Sequence, residues 1–219
     1  KILPVYKTAA RYLKFQNIKN YIICYNFINT LSLASKFKYK KFNKVLNLIC
    51  TNRQYSEKNP INIIKAVEII PNIRLTLVGN GSINSELQLY VKNNKLSHKI
   101  FFIKSIKNDE YIKFLRNFDV FICNTYANEF SKGMIEAISL GLPIIVNHQP
   151  SKVIELSKSF CLINEDSLIG YKKSILKLIN DKNLLKKLSM NGRKIYIKRY
   201  ESSVCEKKFQ KIFNRLNTQ

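Results

Sequence analysis

Asn128-Glu-Phe-Ser-Lys-Gly-Met-Ile-Glu136-Ala-Ile-Ser-Leu-Gly-Leu-Pro143 is the stretch of this chain whose reading decides its fold. It sets Glu129 and Glu136 around a short loop holding Ser131, Lys132 and Gly133, which feeds an apolar helix. The helix stops at Gly141 and Pro143, and Ile144-Ile-Val146 after it reads as a buried strand. A loop that opens a helix presents free backbone N–H groups and the positive end of the helix dipole, which suits a phosphate. Carboxylates beside such a site would repel phosphate and are suited to the hydroxyls of a sugar. The combination points to a nucleotide-sugar.

Working outward, short apolar runs alternate with amphipathic segments. Strands are expected at Val45–Cys50, Arg74–Val78, Lys99–Ile103, Asp119–Cys123, Ile144–Val146 and Phe160–Ile163. Helices are expected from Asn59-Pro60 through Ile70, over Asn84–Asn93, over Asp109–Phe118, after the Asn128–Glu136 loop and over Ser151–Ser157. From Ser167 onward the pattern is purely helical, with a turn near Asn191-Gly192. Six apolar strands alternating with helices imply an α/β fold, a doubly wound parallel Rossmann-like sheet with a C-terminal helical tail. In such sheets ligands bind outside the carboxyl ends of the strands. Those ends here carry Thr51–Lys58, Gly79–Ser82, Lys104–Lys107, Asn124–Gly133 and Asn147–Pro150. Residues 1–42 fall outside the alternation, with a helix over Tyr6–Lys14 and a strand at Tyr21–Cys24, so the main domain is read as 43–219.

The net charge of +24 invites a nucleic-acid reading. Its distribution argues against one: only 7 of the 38 basic residues are Arg, and the lysines are spread over every segment. The expected partner list therefore excludes nucleic acid, while charge of this size predicts peripheral attraction to an anionic membrane face. No stretch reaches the roughly 18 apolar residues of a membrane span, and no signal-peptide pattern opens the chain. Cys24, Cys50, Cys123, Cys161 and Cys205 lack metal-ligand spacing and disulfide density, which fits reduced thiols and a cytoplasmic location. The start at Lys1 instead of Met reads as a piece of a longer product.

After the first strand, Arg53 and Lys58 lie where two cations can neutralise a diphosphate, Arg with a planar fork and Lys as a point charge. That matters when a nucleoside diphosphate leaves with developing negative charge. These loops contain no Asp-x-Asp pair, so the cations are expected to do the work of a metal ion, with no cofactor. Gly79-Asn-Gly81-Ser82 closes the second strand and, in isolation, reads as a turn.

Taken together, these elements resemble the donor-binding half of the GT-B glycosyltransferases, in the retaining family called glycosyl transferases group 1 (family 4). The family's G-R-x-x-x-x-K-[GN] segment is matched by Asn52-Arg53 through Lys58-Asn59, and its V-G-[DN]-G-[PS] turn by Val78 through Ser82. Its aspartate-led strand is matched at Asp119, its second glutamate and G-x-P ending at Glu136 through Pro143, and its late glutamate at Glu155. The family spaces its two glutamates eight positions apart, whereas Glu129 and Glu136 are seven apart. Either the loop is one residue shorter and Glu129 serves, or Asn128 stands in the first position. A second departure is Asn147-His148-Gln149-Pro150, where many relatives carry glycines.

The resemblance implies transfer of a hexose from a nucleoside-diphosphate sugar to a glycan or lipid-linked hydroxyl with retained configuration, as in polysaccharide biosynthesis. It implies that Glu136 meets the ribose and that Glu129 or Asn128, the catalytic position, meets the transferred sugar. Ser131, Lys132, Arg53 and Lys58 would hold the phosphates, with Gly79 in the same donor-binding set. Residues 1–42 look like the end of an acceptor half otherwise missing from the chain. His148 reads as a loop residue without a catalytic role. The alternatives are a nucleotide-sugar-binding subunit without turnover of its own, or a basic nucleic-acid-binding module. The last helix carries an apolar stripe of Val204, Phe209, Ile212, Phe213 and Leu216, expected to pack on Tyr6, Tyr12, Leu13 and Phe15.

Overall fold

The computed structural model describes residues 2–5, 7–26, 39, 44–126, 129–148, 153 and 155–217. Six parallel strands form one sheet in the order β3-β2-β1-β4-β5-β6. They are β1 (Leu46–Thr51), β2 (Ile73–Val78), β3 (Ile100–Ile103), β4 (Val120–Cys123), β5 (Ile144–Asn147) and β6 (Cys161–Asn164). Each expected strand is present. The continuous apolar runs have their cause in burial from both faces: Leu48, Ile49, Phe121, Ile122, Ile144 and Ile145 are wholly inaccessible to solvent. The register runs from Leu46 opposite Ile73 to Thr51 opposite Val78, and Leu48 stands opposite Val120.

The covering helices are α2 (Ile61–Glu68), α3 (Asn84–Asn93), α4 (Asn108–Leu115), α5 (Lys132–Ser139), α6 (Leu168–Asn180) and α7 (Lys182–Arg199). They follow α1 (Lys7–Phe15), and α8 (Ser202–Asn217) ends the series. Within the covering layers, α2 packs against α6 and α5 against α7. All five cysteines are free and buried. At the amino ends of the strands, Asp119 accepts the Asn47 backbone N–H at 2.8 Å and its side-chain amide at 3.3 Å, clasping β4 to β1.

The turn expected near Asn191-Gly192 is absent, because α7 runs unbroken through both residues. Glycine is there for closeness: a Cβ on Gly192 would lie 3.2 Å from Ile138 Cγ2 and 3.5 Å from Phe160 Cβ. The helical tail breaks instead at Asp181, whose carboxylate caps α7 by accepting the Leu184 N–H at 2.8 Å, and again at Tyr200-Glu201. Most of the helix expected over 151–157, and the expected boundary at 42/43, lie outside the described residues.

Residues 2–26 stand apart from the sheet. The strand expected at Tyr21–Cys24 pairs instead with residues 2–4: Ile22 N–H donates to Ile2 O at 3.0 Å and Cys24 N–H to Pro4 O at 2.9 Å. The segment docks through Glu155, which accepts hydrogen bonds from the Lys7 backbone N–H and, at 2.8 Å, from Thr8 Oγ1. Tyr25 adds an edge-on contact to Tyr200, with ring centroids 5.2 Å apart. In α8, Cys205 and Ile212 are buried, and Lys208 lies over the Tyr25 ring. The tail thus meets residues 24–25, while Tyr12 and Phe15, expected to cover its stripe, are 63% and 81% exposed. Phe213 of that stripe also stays 56% exposed. The apolar stripe is shorter than its sequence suggests because Phe213 falls on the outer side of the helix.

Candidate active site

The strand order reverses between β1 and β4, and the chain leaves both strands at that seam in opposite directions. A crevice must open there. It forms a cleft of about 1160 Å³, walled by the loops after β1, β2, β3 and β4 and by the start of α5.

The β1 loop is fixed before any ligand arrives. Gln54 is buried, its N–H bonds Asn80 O at 3.1 Å, and its amide donates to Gly79 O at 3.3 Å. Asn84 donates to its side-chain oxygen. Gly79 is required on two grounds: its φ is +140°, and a Cβ would sit 2.1 Å from Asn52 O. The Val78–Ser82 segment is therefore more than a turn, because it braces the loop that carries Arg53. Arg53 itself is exposed, and both it and Lys58, in the single 3-10 turn Ser56–Lys58, line the cleft.

Across the seam, the β4 loop is held from beneath. Asn52 Nδ2 donates to Asn124 O at 3.1 Å, and the Tyr171 hydroxyl donates to Cys123 O at 3.1 Å. Helix α5 then begins at Ser131, whose hydroxyl accepts the Met134 N–H at 3.3 Å. Gly133 lets this helix start press onto the sheet, since a Cβ would be 3.1 Å from Thr51 Oγ1 and 3.3 Å from Phe121 Cζ.

Every donor-site residue expected from sequence and described here lines this one cleft: Arg53, Lys58, Gly79, Glu129, Ser131, Lys132 and Glu136. Asn128 lies outside the described residues. Lys104 joins Arg53, Lys58 and Lys132 as a fourth lining cation. Lys58 and Glu129, assigned to different parts of a donor, are paired with each other at 2.7 Å. Glu136 is 8% exposed, and burial pushes its carboxyl up to about 7 against the opposing pull of Lys132, 3.7 Å away. Behind it the Tyr111 hydroxyl bonds Thr51 Oγ1 at 2.9 Å, and its phenol is pushed up, foremost by burial.

Sequence reasoning passed over Asn52, Gln54, Tyr111, Asn124 and Asp166. Tyr111 falls within the helix expected over Asp109–Phe118, and only its hydroxyl signals a polar role. His148 is absent from the cleft and lines a neighbouring recess with Asp166. Chemically, the cleft joins four cations and a helix N-terminus, which suit phosphate, to the three carboxylates of Glu57, Glu129 and Glu136, which suit hydroxyls. Among the described residues no group of three or more His, Cys, Asp or Glu could hold a metal ion, and no helix is long and apolar enough to cross a membrane.

The family described as glycosyl transferases group 1 matches residues 33–195. An uncharacterized glycosyltransferase of Methanocaldococcus jannaschii is 26% identical over 197 residues, 86% of this chain and 50% of that protein. The Escherichia coli O-antigen biosynthesis glycosyltransferase WclY is 27% identical over 226 residues, 99% of this chain and 62% of its own length. Among solved structures, the pneumococcal O-GlcNAc transferase GtfA in complex with UDP and GlcNAc superimposes with a TM-score of 0.80 at 17% identity. That match covers 98% of this chain and 45% of GtfA. The chain spans about half to three fifths of the length of the curated relatives it matches.

Proposed function

Because the chain belongs to the glycosyl transferases group 1 family, we propose that it is the donor-binding part of a retaining family 4 hexosyltransferase of the GT-B type. The observation that carries this reading is the composition of the cleft, where Arg53, Lys58, Lys104 and Lys132 share a wall with Glu129 and Glu136. In this reading Arg53, Lys58 and Lys132, with the N–H groups opening α5, take the diphosphate and stabilise it as it leaves. These cations serve where a metal ion could, and no cofactor is needed. Glu136 accepts the ribose hydroxyls, and Glu129 (or Asn128) accepts hydroxyls of the transferred hexose.

The acceptor is a glycan or lipid-linked hydroxyl, brought by an acceptor half of which residues 1–42 are the end. The excess of lysine keeps the protein at an anionic cytoplasmic membrane face without a span. Residues 43–219 act as the nucleotide-sugar-binding domain.

Calorimetric titration of the chain with UDP, GDP, UDP-glucose and a single-stranded RNA tests the reading. Saturable binding of a nucleoside diphosphate, lost in the double variant Arg53→Ala/Lys58→Ala, is the expected result. RNA binding without nucleotide binding would refute it. The chain alone is expected to show no transfer to an added acceptor, since orienting the attacking hydroxyl against the donor is left to the acceptor half.

A further inference from the structure

Beside the cleft lies a second recess of about 370 Å³, at the small end of the ~300–1,000 Å³ typical of ligand pockets and roomy enough for one ring. It shares Glu57, Asn124, Thr125 and Tyr126 with the cleft and runs on past the ends of β5 and β6 to Asn147, His148 and Asp166. Its charge is opposite to that of the molecule. The chain has 38 basic and 14 acidic residues, yet among the described residues this lining holds Glu57 and Asp166 and no Lys or Arg. An anionic group is repelled there, whereas hydroxyls find carboxylate acceptors.

The floor is rigid. Asn147 Oδ1 accepts from Thr125 N–H at 2.8 Å and from Thr125 Oγ1 at 3.2 Å, and its Nδ2 donates to Thr125 O at 2.9 Å. Asp166 is held by Asn124 on one oxygen and by Asn62 Nδ2, at 3.1 Å, on the other. Above this floor the side chains of Glu57, Tyr126 and His148 have no hydrogen bond or ion pair among the described residues. A carboxylate, an imidazole and an exposed phenol ring are thus left free around a preformed polar hollow. Such a set suits a sugar ring, with hydroxyls to the polar groups and the C–H face on the aromatic.

We infer that this recess binds one neutral, hydroxyl-rich sugar unit, that of the acceptor. The inference rests on the proposed transferase reading. The groups given to the donor there, Lys58, Glu129, Ser131, Lys132 and Glu136, line the cleft and are absent from the recess. The donor half would then take part in choosing the acceptor.

The probe is saturation-transfer NMR on the 219-residue chain with saturating UDP and the methyl glycosides of glucose, galactose, mannose and N-acetylglucosamine. Methyl glucuronide serves as the anionic comparison. At least one neutral glycoside should bind, and the glucuronide should not. His148 and Asp166 line the recess and not the cleft; His148→Ala and Asp166→Asn should each weaken that glycoside by about fivefold and leave UDP affinity within twofold of the parent. Thermal melts of both variants separate this from unfolding, and His148, whose side chain has no partner among the described residues, carries the test if Asp166→Asn is unstable.

No glycoside binding by the parent chain, or binding unchanged in His148→Ala, would overturn the inference while UDP binding leaves the transferase reading intact. Weakened UDP-glucose with unchanged UDP and glycoside would place the transferred sugar in the recess and overturn the acceptor assignment. A parent chain that binds glycoside but no nucleoside diphosphate would instead sink the transferase reading and, with it, the acceptor role.

Discussion

Lys58 Nζ and Glu129 Oε1 lie 2.7 Å apart across the mouth of the cleft, joining the loop after β1 to the loop after β4. The pair occupies one cation and one carboxylate of the cleft's lining. A diphosphate must compete with Glu129 for Lys58, and a sugar hydroxyl must compete with Lys58 for Glu129.

Removing either partner should have unequal effects. Both side chains are partly solvated, so the pair contributes at most about 1 kcal/mol to folding, and Lys58→Ala should melt close to the parent. Its affinity for UDP should fall by roughly 1.5–3 kcal/mol, as for a lost charged hydrogen bond. Glu129→Gln should bind UDP more tightly than the parent, since it frees Lys58 and removes a carboxylate from beside the phosphates. It should also lose any preference for UDP-glucose over UDP. Calorimetry with both ligands checks this, and weaker UDP binding in Glu129→Gln would contradict it.

In the proposed reading Glu136 makes nucleotide binding sensitive to pH. Its carboxyl, pushed up to about 7, is partly protonated near neutrality, and only Lys132 opposes the burial, with Tyr111 behind it adding no positive charge. Ribose hydroxyls need the ionised form. Affinity for UDP-glucose should rise with pH through 7, level off above about 8, and release a proton on binding at pH 6.5. Glu136→Gln should be weak and flat with pH, and should leave inorganic pyrophosphate binding unchanged.

The same group sets a slope in the stability of the ligand-free protein. Since its folded value lies above the unfolded one, the stabilisation from its proton is fully present below about 4.5 and is lost as pH rises from there through about 7. Between these values Glu136 should reduce stability by up to ~1.4 kcal/mol per pH unit. Urea denaturation of the parent and of Glu136→Gln between pH 5 and 8 isolates this contribution as the difference between the two curves.

Gly79→Ala should cost about 2 kcal/mol or more, because alanine meets both a disfavoured φ and the Asn52 carbonyl. The relief available is movement of the Asn52–Gln54 loop, so UDP affinity should drop with stability. Gly192→Ala, which meets only side-chain atoms, should lower stability alone. Equal UDP affinity in all three proteins would show that the brace does not position Arg53.

The architecture was legible because the central strands are covered on both faces, which leaves runs such as Leu48–Cys50 and Val120–Cys123 apolar without alternation. The cleft was legible for a related reason, since loops at the carboxyl ends of parallel strands must meet. What stayed hidden depends on pairs far apart in the chain. The Lys58–Glu129 pair spans 71 positions and the Asn62–Asp166 clamp 104, so no local pattern announces either. Gly192 misled for the opposite reason: a glycine placed for close helix contact is locally indistinguishable from one placed for a turn.

The tie between Glu155 and the start of α1 has a consequence for how the protein is made. Thr8 and Glu155 are 147 positions apart, so at a ribosome the helix emerges long before the carboxylate that receives it. Tyr25 waits longer still for Tyr200. The segment synthesised early is therefore the one that docks late, after the sheet has closed beneath it.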